Sequence, residues 1–250
     1  MVALKDGRAL SMGGYDANGT PLQSCEIYDP ATEKWSETTP MSIARARETA
    51  TVLPNGKVVV IGGEYAGDSY SGTPTNSVEI FDPPTETWSS AGTIIDARQN
   101  HTATLLEDGT ILLTGGYSGY GFLNSCEIYD PVSQTSHLVA PLIEERYDHQ
   151  AILLSTGEAL VAGGRIGGTD GIFLNECEIY NPVNNTWRQV DSMSQPRQSG
   201  FILTQFSDNT ILAAGGRNTS TSAGPGSETL DLSTGQWSQT TTPMKQQSVW

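Results

Sequence analysis

The sequence predicts an all-β fold made of five copies of one four-stranded antiparallel unit. Three observations carry that expectation. Diglycines recur at Gly13-Gly14, Gly62-Gly63, Gly115-Gly116, Gly163-Gly164 and Gly215-Gly216, in steps of 49, 53, 48 and 52 residues, and a period near 50 marks a repeat architecture. Each doublet closes a short apolar run that opens on a turn, as in "NGKVVVIGG" and "DGTILLTGG". After a polar loop of changing length comes a second pair of β-rich runs hinged on Asp-Pro or Asn-Pro, as in "CEIYDPATEKW" and "CEIYNPVNNTW".

Each unit divides in the same order. Asp-Gly or Asn-Gly supplies the positive φ angles of a tight hairpin between the first and second strands. The third strand ends in an aromatic residue, or in Leu230 in the last copy, before the second turn. Proline there cannot continue a β-ladder, so the chain folds back into a fourth strand. Seven residues beyond the aromatic position stand Trp35, Trp88, Trp187 and Trp237, with Ser136 interrupting the column in the third copy. The units run over approximately residues 1–43, 44–96, 97–144, 145–195 and 196–250, and the whole is expected to be a single domain.

Composition agrees with many short strands: 27 glycines and 13 prolines accompany only 36% hydrophobic residues. A chain of 250 residues is long enough to bury a large core without a disulfide scaffold. A formal net charge of −15 repels a phosphate backbone, and no basic stripe reverses it, which excludes nucleic acid as a partner. No apolar run approaches the roughly 20 residues of a membrane-spanning helix, and "MVALKDGRAL" has no signal-peptide pattern. The expectation is a soluble protein with no membrane partner. The compartment stays open, with three unpaired cysteines leaning toward a reducing one and sequons at Asn18, Asn100, Asn184 and Asn218 leaning against it.

The diglycine after a hydrophobic strand, the aromatic spaced seven from tryptophan, and the arginine ahead of the next unit at Arg45, Arg98, Arg146 and Arg197 together resemble the kelch repeat, over essentially the whole chain. The resemblance implies β-propeller blades, five of them here where such propellers usually have six or seven. "PMKQQSVW" at one end and "MVALKDG" at the other align with consecutive parts of one first strand, so the first blade is expected to be completed by both termini. A part of a larger ring is the alternative.

Repeat columns account for most chemically suggestive residues. Cys25, Cys126 and Cys177 share one position with Val78 and Ser227, which are poor metal ligands, so these are expected as small buried residues with free thiols. Glu26, Glu79, Glu127, Glu178 and Glu228 fill the next position. Against them stand the four arginines and, as the fifth base, Lys245, and repeated ion pairs between strand three and the inter-blade link are expected. Five equivalent carboxylates are not the asymmetric cluster that catalysis needs. His101 and His149 share a column with Glu48, Gly200 and Ser248, and read as structural rather than metal-binding. No catalytic residue, metal ligand or cofactor is assigned.

Strand alternation puts every loop after a diglycine, and every inter-blade link, at the same end of the blades. Those loops differ in length and chemistry, the usual layout of a binding surface on a rigid scaffold. Within them Glu64, Tyr65, Asp68, Tyr70, Tyr117, Tyr120, Phe122, Arg165, Asp170 and Arg217 are the candidate ligand-binding residues. Some kelch propellers take acidic peptides through arginines on this face. Here the position two beyond the repeat arginine reads Arg47, Asn100, Asp148, Ser199 and Gln247, which is no basic ring, and the net charge favours a neutral or basic partner. The expected function is non-enzymatic binding of a protein or peptide. The alternative is a carbohydrate-binding or galactose-oxidase-like propeller, whose copper site, by the same resemblance, needs tyrosine and histidine ligands. The sequence sets no oligomeric state.

Overall fold

The computed structural model describes residues 1–65, 72–168, 171–218 and 226–240. It is all-β, with no helix among the described residues and so none able to cross a membrane. Five four-stranded sheets follow one another along the chain. They comprise β1 (Val2–Ala3), β2 (Ala9–Met12), β3 (Cys25–Asp29) and β4 (Lys34–Thr38); β5 (Thr49–Val52), β6 (Val58–Ile61), β7 (Ser77–Asp82) and β8 (Thr87–Thr93); and β9 (Thr102–Leu105), β10 (Ile111–Thr114), β11 (Cys126–Asp130) and β12 (Thr135–Val139). The fourth contains β13 (Gln150–Leu153), β14 (Ala159–Ala162), β17 (Cys177–Asn181) and β18 (Thr186–Val190), and the fifth β19 (Gln198–Ser207), β20 (Thr210–Arg217), β21 (Ser227–Asp231) and β22 (Gln236–Gln239). A separate hairpin, β15 (Arg165–Ile166) with β16 (Ile172–Phe173), lies within the fourth loop.

The chain forms two compact units: Met1–Leu113 with Tyr117–Gly121 and Glu127–Leu138, and Val139–Trp250 with Thr114–Gly116 and Phe122–Cys126. In the first unit, β6 reads Val-Val-Val-Ile with every residue buried, because both faces of its sheet are covered and side chains alternate between them. Val58 and Val60 pack with Leu10, Met12, Cys25 and Ile27 of the first sheet. Val59 and Ile61 pack with Ile111, Leu113 and Tyr129 of the third. In the second unit, Leu160, Ala162, Cys177 and Ile179 meet Ile211, Ala213 and Leu230 in the same manner.

Tryptophans of the fourth strands sit in cross-strand register with the aromatic of the third: Tyr28 with Trp35, Phe81 with Trp88 and Tyr180 with Trp187, ring centroids 5.2, 5.0 and 5.1 Å apart. Trp88 and Trp187 also donate through Nε1 to the carbonyls of Thr39 and Ala140, tying each fourth strand to the link before it. Where Ser136 replaces tryptophan, the Tyr129 hydroxyl takes over by donating to the Ala91 carbonyl at 2.7 Å.

Three features differ from the sequence expectation or extend beyond it. The fourth loop carries the β15–β16 hairpin, in which Gly167, at φ 80°, packs against Gly171 more closely than a side chain would allow. In the fifth sheet the diglycine does not end the second strand. Gly215 and Gly216 lie inside β20, because the ten-residue β19 pairs along it through Gln198↔Arg217, with a bulge between Gln198 and Phe201. Of the two-ended first blade, Val2–Ala3 does form an edge strand beside β2; the C-terminal contribution and Lys245 fall outside the described residues.

Candidate functional site

The end of each blade that presents the variable loops is organised by the arginine and glutamate columns. Arg45, Arg98, Arg146 and Arg197 are fully buried, and each pairs with the glutamate of the following blade: Glu79 at 2.9 Å, Glu127 at 2.7 Å, Glu178 at 2.6 Å and Glu228 at 2.8 Å. The Nη1 atoms also meet backbone, while Nε of Arg45 and Arg146 is buried without a hydrogen-bond partner. Arg45 Nη1 donates to the carbonyls of Gly62 and Ser77, Arg146 Nη1 to those of Gly163 and Glu176, and Arg197 Nη1 to those of Gly215 and Gly226. Each carboxylate in turn accepts a backbone N–H three residues before its arginine, from Ser42, Ile95, Ile143 and Ser194. A buried charge pair is better tolerated the more of its remaining donors and acceptors are filled in this way. At Glu127 burial pushes the carboxyl pKa up, but Arg98, Ser136 and the N–H groups of Ile95 and Asp96 outweigh it and hold the group below its usual range.

The diglycine is the other half of this joint. The N–H groups of Gly14, Gly63, Gly116 and Gly164 donate to the carbonyls of Arg45, Arg98, Arg146 and Arg197 at 2.7–2.9 Å. The preceding glycine must lack a Cβ because that same carbonyl occupies its place: a Cβ on Gly62 or Gly115 would stand 2.5 or 2.3 Å from it. Sequence periodicity and tertiary packing thus have one cause, a backbone carbonyl that only glycine can approach.

Beyond each joint, the residue after the repeat arginine pairs with the residue after the diglycine, as Ala46↔Glu64, Gln99↔Tyr117, Tyr147↔Arg165 and Gln198↔Arg217. Four of the candidate residues therefore occupy one structural column. In the first unit Glu64 is fully buried, not presented, with its carboxylate against the Tyr15 hydroxyl and 3.7 Å from Arg47, whose guanidinium lies 5.8 Å from the centre of the Tyr15 ring. Tyr117 is half-buried and its hydroxyl closes its own loop on the Gly119 carbonyl at 3.0 Å. Tyr65 and Tyr120 are the exposed rings, at 46% and 102%.

In the second unit Phe122 stacks on Tyr147 at 4.8 Å, and Arg165 lies 5.0 Å from the centre of the Tyr147 ring and 5.7 Å from that of Phe173. Arg165 also donates to the Gly168 carbonyl. Beside this stack Ile166, Gly167, Gly168, Gly171, Ile172 and Glu145 line a cleft of about 430 Å³. Arg217 ends β20 half-buried. Asp68, Tyr70 and Asp170 lie outside the described residues. Sequence inspection of the loops missed Tyr15, Tyr147 and Phe173, and weighed Arg47 only as one position of a basic ring that does not form. The signal was present for Tyr147, since the link position beside the loop is non-repetitive: Ala46, Gln99, Tyr147 and Gln198.

The remaining chemically suggestive groups are buried. His101 and His149 are buried and their Nε2 atoms meet the hydroxyls of Thr49 at 3.1 Å and Thr114 at 2.9 Å. Burial, reinforced by the Arg98 charge, holds His101 well below the usual imidazole pKa. The cysteines are free and buried, and burial pushes the thiols of Cys25 and Cys177 up to about 11 and about 12. Among the described residues no group of three or more His, Cys, Asp or Glu side chains converges for a metal ion.

A family model described as the KLHDC2/KLHL20/DRC7 Kelch-repeats domain matches residues 1–216. Over 89 residues the chain is 38% identical to an F-box/kelch-repeat protein of Arabidopsis thaliana, covering 36% of this chain and 22% of that one. It is 37% identical to Kelch-like protein 35 of Mus musculus over 117 residues, or 46% and 19% of the two chains. It is 29% identical to galactose oxidase of Gibberella zeae over 85 residues, or 34% and 11%. The matches span about a fifth or less of the relatives' lengths. Among solved structures, one titled "Structure of YjhT" shares the fold, with a TM-score of 0.77 at 17% identity over 94% of this chain and 82% of that one.

Proposed function

The chain belongs to the Kelch-repeat family, its fold is the β-propeller with five four-stranded blades, and on that premise we propose that it is a non-enzymatic module that binds a protein or peptide through its variable loops. One observation supports this above the rest. The repeated joints are buried and pair their charged groups with each other, whereas the loops they anchor leave tyrosine rings such as Tyr120 in solvent. Tyrosine is enriched among the few residues that carry most of the binding energy of a protein interface. The proposal treats residues 1–250 as one domain and its partner as neutral or basic, in keeping with the net charge of −15. A Tyr65→Ala/Tyr120→Ala variant tests it: partner capture falls while the thermal midpoint stays put. Unchanged capture of every partner counts against it.

The 29% identity to galactose oxidase supports a second reading, a copper oxidase. It requires stoichiometric copper and oxidase turnover in the purified protein, and the binding-module reading requires neither.

A further inference from the structure

The end of the blades opposite the variable loops carries the two tight turns of each repeat, and neighbouring blades meet there in different ways. Between the first and second blades cations span the gap. Lys5 Nζ donates to the Pro54 carbonyl, and Arg8 donates to Glu86 at 2.6 Å and to the Pro83 carbonyl at 3.3 Å. Between the fourth and fifth, the Gln205 amide accepts from the Ser155 N–H and donates to its hydroxyl. Between the second and third, no hydrogen bond or ion pair crosses from turn to turn among the described residues.

The repeat explains the difference. In the second blade the places of Lys5 and Arg8 fall to Pro54, which has no donor, and to Lys57, which pairs with Asp82 of its own blade at 3.0 Å. In the third blade the place of Lys57 falls to Thr110, which turns back onto Asp108. A cleft of about 220 Å³ results, walled by Leu53, Pro54, Pro131 and Val132 and bordered by Asp108 and Asp130. Val132 is 91% exposed. Neither carboxylate has an ion pair among the described residues. Asp108 accepts from Thr110, and Asp130 from Val132 and Ser133, all within their own turns.

We propose that this cleft is a docking site for a lysine side chain presented by a basic segment of a partner protein. Apolar walls with carboxylates at their border match a side chain built of a four-carbon stem and a terminal charge. A net charge of −15 draws such a segment in. The filled gap shows the same chemistry in place. Lys5 lies along Gly56, its Cδ 3.9 Å from where a Cβ would stand, and its ammonium ends on a carbonyl of the neighbouring turn. The matching carbonyl of the third blade belongs to Glu107, which is exposed and meets no donor among the described residues. The site is at the other end of the blades from the tyrosine loops and does not rest on their role.

The test titrates the isotope-labelled full chain with a blocked Ala-Lys-Ala-Lys-Ala peptide, followed by amide chemical shifts. Saturable shifts are expected at Gly109 and Val132, with a dissociation constant on the order of 1 mM. Asp108→Asn/Asp130→Asn weakens binding about threefold or more, as loss of two exposed ion pairs should. It leaves the turns intact, because Asn55 and Asn181 already hold these places in other blades and accept the same backbone bonds from Lys57 and Val183. Pro54→Lys restores the residue that the first blade carries, fills the cleft from within and abolishes the shifts. Glu144→Gln/Glu145→Gln, which removes two exposed carboxylates elsewhere, leaves binding unchanged. Absence of saturation, an equal loss from both acid pairs, or equal binding of a norleucine-for-lysine peptide overturns the proposal. So does a dimer of the peptide-free protein that Pro54→Lys dissociates, which would put a second copy of the chain in the cleft.

Discussion

Replacing Arg98 by methionine removes one partner of an ion pair whose side chains are both 0% exposed. Glu127 would keep the Ile95 N–H at 2.6 Å, the Asp96 N–H at 2.9 Å and the Ser136 hydroxyl at 2.7 Å, but lose the one positive charge beside it. Burial would then act on the carboxylate without its main opponent. Stranding a buried charge in this way costs about 3–5 kcal/mol. Adding Glu127→Leu removes the stranded charge and restores part of the loss, although the two link N–H groups then lack their acceptor at about 1–3 kcal/mol each. The double variant is thus expected to be more stable than the sum of the single effects by about 2 kcal/mol or more. Exchanging the two residues should not rescue, because those N–H donors would face a guanidinium. Urea unfolding followed by tryptophan fluorescence measures the wild type, the two single variants, the double variant and the exchanged pair. Additive single effects, or an Arg98→Met loss below about 1 kcal/mol, would refute the account of the joint.

Acidification is expected to destabilise the protein in two windows. His101 is held neutral by burial, so below the reference value of 6.5 the unfolded chain binds the proton first, and stability drops by about 1.4 kcal/mol per pH unit until the depressed folded value is reached. Glu127 contributes stability that is complete above the reference value of 4.5 and is lost as the pH falls through its lower folded value. Unfolding free energies between pH 7 and pH 3 check both, and a flat profile from 7 to 5 would contradict the histidine placement. Glycine substitutions separate steric need from backbone preference. Gly115→Ala, where Cβ would stand 2.3 Å from the Arg146 carbonyl, should cost about 3 kcal/mol or more, against about 1 kcal/mol for Gly7→Ala, which has the same sign of φ and open space. Equal losses in thermal denaturation would remove the carbonyl argument.

Much of the architecture was legible in one dimension because a repeated unit leaves its packing rules as columns. The diglycine, the Asp/Asn-Pro turn and the aromatic seven residues from tryptophan each solve a local problem of turn geometry or cross-strand contact, and such solutions recur at a fixed spacing. The five sheets, the free buried cysteines and the pairing of acid with arginine all followed from those columns. The loops obey no period, so nothing in the sequence separated Tyr120, fully solvated, from Glu64, sealed under Tyr15 and Arg47.

The sequence by itself determined which residues are equivalent: four strands per unit, one arginine, one glutamate and one glycine pair at matching places. Only the tertiary structure decided what each copy meets. It pairs each arginine with the glutamate of the next blade, brings Phe122, Tyr147, Arg165 and Phe173 together from separate segments, and seals Glu64 under Tyr15 and Arg47 while Tyr120 stands in solvent. The physical reason is that equivalence is set by local backbone geometry, which the sequence carries directly. Burial and charge pairing depend on which segment folds against a blade, and that neighbour is distant in sequence.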